Sequence, residues 1–163
     1  MKRAFLKGFA VVAIAASAFS IEMPASQAQI EVGTSTPTVS NAGTLNRNND
    51  HFVEVTVNGD MPLARLKVVC VTFHELSGVK VVDADTGADI AHSFSPGFEE
   101  FTLTFTEPLE AGKTVRIVME DSRVRGRLSG LTVPYQIFAT YPTIGTDIPI
   151  GTAVITIPEV TGR

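Results

Sequence analysis

The chain has 163 residues and a mass of 17.4 kDa, room for one domain of ordinary size. Hydrophobic residues make up 44% and charged residues 18%, too apolar a balance for a disordered chain. The 17 acidic residues outnumber 13 basic ones, against a free-standing nucleic-acid binder, and the single cysteine excludes an internal disulfide or a multi-cysteine zinc site.

The first 28 residues read as a secretory signal peptide. Lys2, Arg3 and Lys7 precede an apolar run at residues 9–21. Pro24 follows, and then Ser26-Gln27-Ala28 places small residues where a signal peptidase cuts. The apolar run is shorter than the roughly 20 residues a membrane span needs. No Arg-Arg pair is present there, which points to the general export route. Cleavage after Ala28 removes three basic residues and one acidic residue, Glu22, so the exported part is the more acidic. It is expected in the periplasm or outside the cell, with no membrane span and no affinity for nucleic acid.

Residues 29–50 are rich in Thr, Ser, Asn and Gly and read as a flexible arm, of which part, Gln29 to Val32 or Thr38-Val39, is expected to add a short edge strand. From His51 onward a period of two sets in. Val53, Val55 and Val57 share one face, and Asn58-Gly59-Asp60 turns the chain. Residues 64–73 form the next strand, with Leu66, Val68 and Cys70 aligned. Residues 79–82 and 90–94 flank an Asp- and Gly-rich loop and predict a hairpin. Residues 98–105 place Phe101, Leu103 and Phe105 inward, and residues 114–119 do the same with Val115, Ile117 and Met119. Residues 131–141 and 152–157 are the last strands, and the stretch between them reads as a loop. Seven to eight short strands, with turns about every ten residues, predict an all-β, immunoglobulin-like antiparallel sandwich over residues 51–163.

Several of these stretches carry a family resemblance. They are His51-Phe-Val-Glu-Val-Thr-Val57, Pro62-Leu63-Ala64-Arg65-Leu66-Lys67-Val68, Phe101-Thr-Leu-Thr-Phe105, residues 108–117, Tyr135-Gln-Ile-Phe-Ala-Thr-Tyr-Pro142 and Ile150-Gly151-Thr152-Ala153. Over roughly residues 52–157 the chain resembles a family of small secreted cyanobacterial proteins described only as a domain of unknown function. The resemblance implies an exported β protein and brings no catalytic residues.

Candidate chemistry is sparse. Asp83, Asp85 and Asp89 sit at alternate positions around Gly87, the spacing of a calcium loop, but the twelfth position counted from Asp83 is Phe94, which has no ligand oxygen. Turn chemistry is the favoured reading of that loop. Cys70 and His74, with His51 and Met61, invite a copper centre, yet Cys70 lies in an apolar strand, where a free thiol is usually core. No Gly-x-Ser-x-Gly elbow is present, and neighbouring acidic pairs on a strand point to opposite faces. Arg123, Arg125 and Arg127 are the one local basic feature, suited to an anionic glycan or an acidic envelope protein. The sequence therefore predicts a non-enzymatic binding or structural module without a required cofactor. A metal-binding domain, with calcium at Asp83 to Asp89 ahead of copper at Cys70 and His74, is the second reading and a hydrolase with an unrecognised site the third.

Overall fold

The computed structural model describes residues 36–46, 49–70, 74–124 and 132–157, all within the second of the chain's two units, Glu31–Arg163. The signal segment, Arg125 and Arg127 lie outside the described residues.

Eleven strands are described and no α-helix: β1 (Thr38–Leu45), β2 (Asp50–Thr56), β3 (Leu63–Cys70), β4 (His74–Glu75), β5 (Gly78–Asp83), β6 (His92–Pro96), β7 (Glu100–Leu109), β8 (Thr114–Glu120), β9 (Arg123–Val124), β10 (Thr132–Thr140) and β11 (Ile148–Thr156). Nine form two antiparallel sheets. One runs β1-β2-β8-β5 and the other β11-β10-β3-β7-β6, while β4 and β9 make a separate short ribbon. This is an immunoglobulin-like β-sandwich. Its core is the set of inward rows that alternation predicts: Val53 and Val55, Leu66 and Val68, Leu103, Val115, Ile117 and Met119 are all at most 1% exposed. Cys70 joins them as a buried thiol.

Four local readings change. The arm at residues 29–50 contains an eight-residue strand, because β1 pairs along the whole of β2. Its polar sequence fits an edge strand that buries little, and its register slips between Val39 and Asn41. The hairpin at residues 79–94 is only begun. Val82 bridges Asp89 and the Ile90 N–H donates to the Val81 carbonyl, but β5 then pairs with β8 while β6 pairs with β7 in the opposite sheet. The loop before residue 152 is partly strand, since β11 starts at Ile148. Pro149 and Gly151 are tolerated there because β11 is an edge strand with a register slip opposite Ile137 and Phe138. Residues 74–75, to which the sequence assigns no strand, form the two-residue β4, paired with β9.

The two sheets are unequal. Edge strands β1 and β11 meet on one side of the sandwich, where the Gly151 backbone sits close against Val39. Counted from that side, the fifth strand of the larger sheet, β6, has no counterpart in the four-stranded sheet. That mismatch leaves a recess beside β6.

Candidate functional site

The recess is a cleft of ≈ 340 Å³ under the overhanging strand. Phe94 and Pro96 of β6, Val68 and Cys70 of β3, Phe101 of β7 and Leu76 line it. Phe94 occupies an inward position of β6 opposite Leu103, yet it is 37% exposed because no strand of the other sheet covers it. Its ring packs on Phe101, with centroids 5.7 Å apart. Glu75, Glu99 and Glu100 form the rim, and no lysine or arginine is among the described lining residues.

The turn after β6 shapes the cleft. The Gly97 N–H donates to the Glu100 carbonyl, and the Cys70 N–H donates to the Glu99 carbonyl, both at 2.8 Å. Glu99 adopts a left-handed backbone (φ 59°), which costs a non-glycine residue energy and is held by that second bond to β3. The turn thus projects Phe98, 79% exposed, beside the cleft. Among the described residues β6 hydrogen-bonds to β7 on one side only, and it carries no carboxylate, lysine or arginine from His92 to Pro96. Natural edges are blocked by such charges, by proline or by short length, and β6 has only Pro96 and its five-residue length for this.

A second cleft of ≈ 410 Å³ lies where the chain crosses between sheets, lined by Ile90, Ala91, Thr106, Pro108 and Leu109 with Glu107, Glu110 and Lys113. It has mixed charge and no aromatic wall.

The candidate residues from the sequence fall elsewhere. Asp83 ends β5, and its carboxylate accepts the backbone N–H groups of Asp85 and Thr86 at 3.1 and 2.9 Å. Those Thr86 bonds first, then the Asp85 N–H, hold its carboxyl below the usual carboxylate range. Asp85 is exposed in the turn, and Asp89 pairs with Lys80 at 2.9 Å. Among the described residues no three His, Cys, Asp or Glu side chains gather as metal ligands do. Of the arginine trio, only the backbone of Arg123 is described, in β9 opposite Glu75. Met61 lies in the β2–β3 loop near Thr143, and His92 turns its Nδ1 to the Ile90 carbonyl at 2.8 Å.

His51 and Tyr135 form a buried polar pair that the sequence reading left apart. Both are 0% exposed, and His51 Nδ1 lies 2.5 Å from the Tyr135 hydroxyl, across the two sheets. Ser122 bonds to Tyr135 and gives its own proton to the Met119 carbonyl at 2.9 Å. One direction of donation links the three: Nδ1–H to the phenol oxygen, phenol O–H to Ser122 Oγ, Ser122 O–H to the carbonyl. Burial pushes the tyrosine far above its ordinary pKa, so it stays protonated. Burial lowers His51 below its ordinary value and favours the neutral ring, while Asp50 opposes the shift. The signal available in the sequence was two polar side chains on inward rows of predicted strands, which must find each other. Phe94, Phe98, Glu99 and Glu100 gave no such signal, because alternation assigns Phe94 to the core.

No family model matches the chain, and no curated protein matches it. Solved structures do overlay. The collagen-binding domain from a Staphylococcus aureus adhesin has a TM-score of 0.46 at 6% identity, covering 76% of this chain and 99% of that one. Domains D2 and D3 of the major pilin SpaD from Corynebacterium diphtheriae give 0.45 at 12% identity, covering 74% and 51%. ACE19, the collagen binding subdomain of the Enterococcus faecalis surface protein ACE, gives 0.40 at 12% identity, covering 71% and 91%. The chain spans less than half the length of several larger structures it matches. Overlays this distant assign no ligand, partner or activity to it.

Proposed function

We propose that the chain is an exported, non-catalytic β-sandwich that serves as a binding module of the cell envelope, with the cleft beside β6 as its recognition surface. The observation that carries this reading is the overhang: among the described residues, β6 leaves an apolar cleft and an open strand edge together on one side of the sandwich. Concave, mostly apolar clefts of a few hundred Å³ with a few polar groups at the rim are where domains take ligands. The candidates for nucleophile and base support the absence of catalysis, since Cys70 and His51 are buried and the His92 ring is tied to a backbone carbonyl. Export is supported by the residues 1–28 pattern, and the mature chain would begin at Gln29.

A photo-crosslinking residue placed at Phe98, and separately at Val154 on β11, tests the surface in living cells. Both positions are exposed, at 79% and 57%, so accessibility alone does not separate them. A discrete adduct from position 98 that is absent from position 154 supports the reading. Matching adducts from both, or none from 98, refute it. Amino-terminal sequencing of the protein recovered from the envelope tests export, and a chain retaining Met1 in the cytoplasm refutes that part.

A further inference from the structure

We propose that the cleft takes an extended peptide segment of a partner protein, added as a further strand beside β6, with one large apolar side chain in the cleft and lysine or arginine next to it. This deepens the reading above and rests on it. Three features of the same place point this way. Among the described residues the outer backbone edge of β6 is open, so the outward N–H and C=O groups of His92 and Phe94 are available to a new strand, up to Pro96, which has no N–H. The cleft lies under the inward face of that strand, where an added strand would send every second side chain. Phe94 and Phe101 supply the apolar wall for one of those side chains.

Charge selects the occupant. Glu75 faces Arg123 across the β4–β9 ribbon, so the argument rests on Glu99 and Glu100. Both are exposed on the rim. Lys67 feels Glu100, but its ammonium is held by Asp147 at 2.6 Å. A cationic peptide is complementary to this rim. A second copy of the chain is not. Two-fold pairing of β6 on β6 would bring the same glutamates of both copies into one interface.

The test uses the purified protein as recovered from cells and fluorescent, capped nine-residue peptides. One alternates valine and lysine around a central phenylalanine, and the other has glutamate in place of lysine. The lysine peptide is expected to bind and the glutamate peptide not. The Glu99→Lys/Glu100→Lys variant is expected to weaken the lysine peptide by about tenfold or more and to improve the glutamate peptide. Both substitutions are on exposed side chains, and a thermal melt checks that the fold is kept. Lysine peptides N-methylated at every second amide, in either of the two phases, test the backbone pairing. One phase is expected to bind and the other not.

Equal binding of the lysine and glutamate peptides overturns the charge selection, and equal binding of both methylated phases overturns strand addition. A homodimer that competes with the peptide overturns the choice of occupant. If neither peptide binds while the Phe98 crosslink persists, the peptide proposal falls and the recognition surface stands. If the Phe98 crosslink is also lost, both fall.

Discussion

Replacing Tyr135 with phenylalanine removes one oxygen from the middle of the sandwich and little else. The ring volume is nearly conserved, so the cavity contribution is small. What changes is the hydrogen-bond chain: His51 Nδ1, 2.5 Å from the phenol, loses that partner in a site with no solvent access. Leaving one buried polar group without its bond costs about 1–3 kcal/mol. For a domain of this size that is a fall in Tm of about 4–12 °C, or a shift in the urea midpoint on the order of 1 M. The double variant His51→Leu/Tyr135→Phe removes both partners, and apolar replacement of both ends is close to neutral. It should therefore be more stable than Tyr135→Phe alone, with a coupling that a double-mutant cycle in urea reads directly. A Tyr135→Phe variant as stable as the parent, or strictly additive single effects, would refute the buried chain as a structural bond.

Stability should also depend on pH through His51. Its folded pKa lies below the ordinary 6.5, so its contribution is complete above about pH 6.5 and is lost as pH falls, because the unfolded chain takes the proton first. Urea unfolding at pH 7.5 and pH 5 should show that loss, and the double variant above should show less of it. Arg116→Ala should cost roughly 1–2 kcal/mol, between exposed and buried ion pairs, because it strips both the 2.8 and 2.6 Å bonds from a Glu54 side chain that is only 12% exposed. Chemical denaturation measures it, and Arg116→Met/Glu54→Gln should recover part of the loss. Gly43→Val should cost about 1–3 kcal/mol by overpacking, since even a Cβ there would lie 2.8 Å from the Phe52 ring. Adding Phe52→Ala should relieve it, and a melt in which Gly43→Val matches the parent would show that the ring yields freely.

The inward rows of the sandwich were readable because burial on one face of a strand imposes a period of two, and Val53, Leu103 and Ile117 obey it. The edges were not readable in the same way. β1 buries little and carries polar residues, so its pairing with β2 leaves a weak trace in composition. β11 holds Pro149 and Gly151, which a central strand would reject and an edge strand accepts. The turn at residues 83–88 does form, and local turn chemistry predicted it correctly. Which sheet the chain joins after Ile90 is decided by distant partners, and no local pattern contains that information. The cleft follows from the strand count of each sheet, so its residues looked like ordinary core or turn positions until both sheets were assembled.

The central pairings join residues far apart along the chain. His51 meets Met119, and Val68 meets Ile137, before either sheet has its middle. Non-local pairing of this kind makes folding slow, on the order of milliseconds to seconds. An emerging polypeptide cannot close its core until residues past 137 are free to return, so it stays threadable through a narrow channel almost to its last strand.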